Sequence, residues 1–177
     1  MARERRPQTR TAIISSIVSE WFQAYGFADV HDELLVGAYP LDASDVKMLE
    51  RLGVRHVLNL VEDSEYAPGQ REQVVSALEA AGIEETRMNL EDYGHLPPDG
   101  LEAAVQQVVT WLQAGERTYL HCRAGWQRSA AVAAGAVAIQ DDVDIETALN
   151  RIQVRKPSAQ PLPHQRADLL RWWEARS

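Results

Sequence analysis

A single cysteine, Cys122, is the only thiol in this 177-residue chain, so an internal disulfide is excluded. A lone thiol fits a reducing cytosol, and the protein is expected to be cytoplasmic. No apolar run approaches the ~20 residues of a membrane span. The stretch Ala12-Ile13-Ile14 is interrupted by Ser15, Ser16, Ser19 and Glu20, which leaves no apolar core of signal-peptide quality. No His/Cys/Asp cluster has zinc-site spacing, and no glycine-rich loop ends in Lys-Ser/Thr, so neither a metal nor a nucleotide cofactor is expected. Repeats and low-complexity segments are absent as well.

Net positive charge is found only at the ends. Net charge is −8, yet residues 1–10 carry four Arg against one Glu and residues 151–177 carry six basic against two acidic residues. An acidic body argues against a general nucleic-acid binder. With 45% hydrophobic and 25% charged residues the chain reads as one ordinary globular domain. Residues 1–10 form a basic tail, read as solvated or as touching a partner, and 11–177 form the domain. Ile13, Ile14, Ile17, Val18, Trp21 and Phe22 recur at helical spacing, so 11–25 is expected to be an amphipathic helix. Docking on the domain is its leading reading, with a partner or membrane surface as the alternative.

Strand and helix patterns then alternate. Glu33 to Tyr39 reads as a short strand, Asp42 or Ser44 caps a helix through Leu52, and Gly53 sits at its left-handed end. Val54–Val61 is a buried strand, 62–69 a loop, 70–81 a helix closed by Gly82, and Ile83–Leu90 a strand. After a loop with Asp92, His95, Pro97 and Pro98, Asp99 caps a helix that stops at Gly115. Arg117–His121 is the next strand, and helices follow at about 128–140, 144–154 and 163–175. The alternation predicts an α/β fold, a mainly parallel central sheet with helices on both faces. Ligands of such sheets sit beyond the carboxyl ends of the strands.

Cys122 falls at such an end, inside His121-Cys122-Arg123-Ala124-Gly125-Trp126-Gln127-Arg128-Ser129. The five residues between Cys122 and Arg128 can wrap with their N–H groups inward, and the following helix points its positive end at the same place. A thiol among such donors ionises readily, and the thiolate is the nucleophile. Arg128 adds a planar fork that holds two phosphate oxygens at once. The plain alternative, a small buried hydrophobe, does not explain the glycine and the Arg-Ser that follow.

His121-Cys122, Gly125 and Arg128-Ser129 match the His-Cys-x-x-Gly-x-x-Arg-Ser signature, and the chain resembles the cysteine-dependent protein phosphatases, most closely their dual-specificity branch. The element pattern extends that resemblance over about residues 34 to 175. It implies a protein tyrosine phosphatase-like fold, attack of Cys122 on phosphorus, phosphoryl binding by Arg128 and help from Ser129 in breaking down a phosphocysteine. It also implies that His121 is hydrogen-bonded in the loop and keeps the thiol acidic. A plain buried histidine, and for Ser129 a plain helix cap, are the simpler readings.

A phosphate ester needs an acid at its leaving oxygen. The resembling family carries this Asp some thirty residues before the Cys, which is where Asp92 lies. Glu91 faces the opposite way on the strand pattern, Asp99 reads as a helix cap, and His95 as an exposed loop residue.

Arg123, Ala124, Gly125, Trp126, Gln127 and Arg128 are expected to line the substrate pocket. The loop has no lysine of the kind found in superfamily members acting on inositol phospholipids. A singly phosphorylated target is therefore favoured: phosphotyrosine, phosphoserine or phosphothreonine in a protein, or a small phosphate monoester. Gln127 departs from the small residues usual before the Arg. Trp126 either stacks on an aromatic leaving group or packs on a neighbouring loop, and Arg155 or Lys156 either braces the active-site loops or lies on a plain surface loop. A phosphoinositide phosphatase, a non-catalytic phosphate-binding module and a rhodanese-like sulfurtransferase are the alternatives. Oligomeric state is not legible.

Overall fold

The computed structural model describes residues 17–176. The basic tail and the first part of the expected 11–25 helix lie outside the described residues. Among the described residues the helix begins only at Glu20, a correction to the expected 11–25 span: residues 17–19 are turn and extended backbone, and α1 (Glu20–Tyr25) starts after its N-cap Ser19, which accepts a hydrogen bond from the Phe22 N–H. Next come β1 (Phe27–His31), β2 (Leu34–Gly37), α2 (Ala43–Arg51) and β3 (His56–Asn59). A 3-10 turn (Asp63–Glu65), α3 (Gln70–Ala81), β4 (Glu84–Arg87) and α4 (Pro98–Gln113) follow. The chain ends with β5 (Thr118–His121), α5 (Arg128–Asp141), α6 (Ile145–Arg155) and α7 (Pro163–Glu174).

The five strands form one sheet in the order β1-β2-β5-β3-β4, and only β1 runs antiparallel to its neighbour. The fold is thus the expected α/β type. Alternate side chains of one strand enter different cores. Leu34, Val36, Leu58 and Leu120 pack among α4, α5, α6 and α7. Leu35, Val57 and Tyr119 face the other way, toward α1, α2 and α3. Helix α5 carries Ala, Val and Gly on every side and is buried from Arg128 to Ala138, as a helix apolar all round must be. Its small side chains let neighbours approach closely: a Cβ on Gly135 would stand 2.7 Å from Val105 Cγ2.

The central strand is β5. Its last residue His121 is in register with Gly37 of β2 and Asn59 of β3, so Cys122 emerges at the carboxyl edge between two parallel neighbours.

Three further expectations need correction. No strand was expected at Phe27–His31, because its burial is uneven and its pairing with β2 is an edge pairing with an irregularity between Asp29 and His31. The expected loop 62–69 contains the 3-10 turn, closed by the Glu65 carboxylate accepting from the Glu62 N–H at 2.8 Å. Asp99 is not the cap of α4: Pro97 holds that position, Pro98 opens the helix, and Asp99 sits in the first turn, where its charge suits the helix dipole.

One buried carboxylate fastens the start of α1 to α2. Asp45 of α2 is fully buried and accepts from Ser19 N (2.8 Å), Ser19 Oγ (2.7 Å) and Leu41 N (2.8 Å). Burial pushes its pKa up, against the pull of these donors. Asp45→Ala would strand two backbone N–H groups, so it is expected to lower stability by about 2 kcal/mol in urea unfolding. An unchanged midpoint would show that α1 is held otherwise.

Candidate active site

The loop after β5 is shaped by close backbone packing. Gly125 has φ +75°, and a Cβ there would lie 2.4 Å from the carbonyl carbon of Gly37, so only glycine fits. Gly37 is itself crowded, a Cβ there standing 2.2 Å from the Tyr119 hydroxyl oxygen. Tyr39 N donates to Arg123 O at 3.0 Å, and Tyr119 Oη donates to Ala38 O at 2.6 Å. The loop is thereby stitched to the segment following β2.

Cys122 is 3% exposed, with Sγ 3.2 Å from Ser129 Oγ. Burial pushes its pKa up, but the Arg128 charge, the Ser129 hydroxyl and the backbone N–H groups of Ser129 and Gln127 together hold it below the usual thiol value. Gln127 is the N-cap residue of α5, so the helix starts directly at the sulfur.

Arg128 is 1% exposed. Its guanidinium pairs bidentately with Glu65, Nη1 to Oε2 at 2.8 Å and Nη2 to Oε1 at 2.7 Å. Nη1 also donates to Leu90 O at 2.9 Å, and Nη2 lies 3.0 Å from Asp92 Oδ1. Nε has no hydrogen-bond partner among the described residues, which leaves one buried donor for an anion.

His121 Nδ1 is 3.0 Å from the Cys122 carbonyl oxygen. Burial lowers its pKa to about 4, so at neutral pH the ring is neutral and its Nδ1–H donates. It orients the cysteine backbone and carries no positive charge toward the sulfur.

Cys122, Arg123, Trp126 and Arg128 line a cleft of about 130 Å³, with Ala124 and Gln127 from the same loop. Asp92 and Tyr93 close one side, and Trp21 and Tyr25 of α1 close another. Of the residues expected to line the pocket, only Gly125 does not face it. Trp126, 42% exposed, sits with its ring 5.4 Å from that of Tyr25, so it packs on α1 and also faces the cleft. Lys156 is buried and donates to Ser158 Oγ at 3.0 Å, while Gln160 N donates to Trp126 O at 2.6 Å. The segment after α6 therefore does reach the active-site loop, through Gln160 and not Arg155.

Four participants were not foreseen. Glu65 completes the arginine site, and Trp21, Tyr25 and Tyr93 form the rim of the cleft. A buried guanidinium demands a carboxylate, so an acidic partner was foreseeable, but 26 acidic residues gave no local sign of which. The capping pair Glu62/Glu65 was the one available signal. No group of three or more His, Cys, Asp or Glu side chains among the described residues is arranged to hold a metal ion.

Fold and loop together define a cysteine-based phosphatase. The chain belongs to the dual specificity phosphatase family, whose catalytic-domain model matches residues 35–175. No curated protein matches it. Among solved structures it is similar to Tk-PTP in its active form, with 18% identity, a TM-score of 0.73 and coverage of 85% of this chain and 97% of that one. PTPMT1 in complex with PI(5)P gives 22% identity, a TM-score of 0.72 and coverage of 84% and 95%. Human DUSP28 gives 21%, 0.66, and 85% and 94%. These likenesses are likenesses of fold.

A depressed thiol pKa has a direct readout. The rate of Cys122 alkylation by iodoacetamide is expected to reach half its maximum below the ~8.5 of a free cysteine. A midpoint at or above that value would contradict the assigned donors.

Proposed function

We propose that this protein hydrolyses phosphate monoesters, phosphotyrosine and phosphoserine or phosphothreonine in proteins, through a phosphocysteine on Cys122. The observation that carries this reading is the convergence of Cys122, the Arg128 guanidinium and the Asp92 carboxylate at one small cleft, with the buried Ser129 hydroxyl 3.2 Å from the sulfur. The Cys122 thiolate attacks phosphorus while Arg128 and the loop N–H groups hold the equatorial oxygens. Asp92, protonated, gives its proton to the leaving oxygen as the ester P–O bond breaks. As carboxylate it then takes a proton from the water that attacks the phosphocysteine. Phosphate leaves, and the Ser129 hydroxyl donates to the sulfur as the thiolate reforms.

The aromatic rim of Trp21, Tyr25, Tyr93 and Trp126 suits a flat aryl leaving group. A reducing cytosol would keep the thiol active. Membership of the family, with Arg128 and Ser129 in place beside the thiol, favours hydrolysis over sulfur transfer or binding without turnover. PTPMT1, a structure of similar fold, holds PI(5)P, so phosphoinositide hydrolysis is the second reading. Against it stands a loop without lysine, with Arg123 its one additional cation.

Phosphate release from phosphotyrosine, phosphothreonine and phosphoinositide substrates tests both. Activity is expected on the phosphoamino acids and absent in Cys122→Ser. Asp92→Asn should slow alkyl phosphates by about 10²-fold or more while sparing activated aryl phosphates. Activity confined to phosphoinositides would overturn the substrate assignment. Equal loss on alkyl and aryl esters would overturn the role of Asp92.

A further inference from the structure

The loop that carries Asp92 is fastened on one side by Arg128, through Leu90 O and Asp92 itself. Its other side is fastened by α7, an element with no residue among those lining the cleft. His164 Nε2 donates to Tyr93 O at 2.9 Å and lies 3.1 Å from Gly94 O, which also accepts from Gln165 Nε2 at 3.2 Å. One turn further along, the buried Asp168 carboxylate accepts from Leu96 N at 2.9 Å and from His95 Nδ1 at 2.9 Å. Arg171, a turn beyond, pairs with the same carboxylate. The rings of His95 and His164 meet edge to face at 4.9 Å.

These bonds grip residues 93 to 96, immediately after Asp92. They also hold a conformation the chain would otherwise leave: Tyr93 has φ +59°, a left-handed backbone that a bulky side chain seldom adopts. Tyr93 is 67% exposed, so its own side chain is not buried enough to impose that conformation. The restraint comes from the carbonyls held by α7. With Tyr93 turned this way, Asp92 Oδ1 rests beside Arg128 Nη2 at the cleft. If the turn relaxed, the carboxyl would swing away from the leaving oxygen, and displacements of about 1 Å cost up to about 10²-fold in such transfers.

We propose that Asp168 and His164 are positioning residues that hold Asp92 in its proton-donating place, so that α7 sets the efficiency of leaving-group protonation without touching substrate. This rests on the reading of Asp92 as the acid. It adds that the restraint is distributed along one face of a helix remote in sequence from the loop, at positions 164, 165 and 168.

The test compares Asp168→Asn and His164→Ala with wild type on an activated aryl phosphate and an alkyl phosphate, each also in an Asp92→Asn background. Asn keeps an oxygen for Leu96 N but loses the charge that engages His95 and Arg171. His164→Ala removes a half-buried ring and is the variant less prone to unfold. Both should slow the alkyl substrate by about tenfold or more and leave the aryl substrate and the pH profile of Cys122 alkylation near wild type. In the Asp92→Asn background neither should cause further loss, because both act through the same carboxylate. Equal slowing of both esters, or a loss that multiplies with that of Asp92→Asn, would assign α7 a structural role and overturn the proposal. If Asp92→Asn alone slowed both esters equally, the acid assignment would fail instead, and the two failures are distinguishable.

Discussion

The bidentate pair between Arg128 and Glu65 is the constraint on which the site depends. A guanidinium 1% exposed cannot be left uncompensated, because desolvating a charge costs several kcal/mol, of order 3–5 when one partner of a buried pair is removed. Glu65 meets that demand from a short turn between β3 and α3, held in shape by its own bond to the Glu62 N–H. Burial pushes the Glu65 pKa up, but the bonds from Arg128 and Glu62 hold it below the usual carboxylate range. The same guanidinium reaches Leu90 O and Asp92, so one side chain ties the Asp92 loop to the thiol loop. Without it, three segments far apart in sequence would have no common reference.

The thiol shows a similar balance of opposing effects. Burial alone would push the Cys122 pKa up, and the donors around it outweigh that push and hold it below the usual thiol value. Those donors are rigid because Gly125 lies against Gly37 with no room for a side chain and because α5 begins directly at Gln127. His121 contributes orientation through a neutral ring. The thiolate form is therefore favoured by fixed dipoles and one held cation.

What the sequence made legible was local. Gly82 and Gly53 end helices, β-branched runs mark β3, and His121 to Ser129 announces a strand, a tight loop and a helix start. That Cys122 falls at the carboxyl edge of a mainly parallel sheet also follows from the alternation of strands and helices, but its place between β2 and β3 does not. Contacts across the sequence were not legible. Glu65 lies 63 residues from Arg128, and Asp168 lies 72 from Leu96, with no local pattern to connect them. Strand β1 was missed because an edge strand beside a bulge carries little of the alternation that a buried face imposes. Asp99 was misread because Pro97-Pro98 already starts the helix, and a capping side chain is not required there.

A covalent bond between Cys122 Sγ and phosphorus is the step on which the proposed hydrolysis depends most directly. Acid-quenched mass spectrometry of the Ser129→Ala protein during turnover of an aryl phosphate tests it, since removing the hydroxyl that meets the sulfur is expected to slow breakdown of the adduct under the proposed mechanism. A phosphoryl group on the peptide containing Cys122 is the predicted result. Phosphoryl label on any other residue, or steady phosphate release that survives Cys122→Ser, would contradict it.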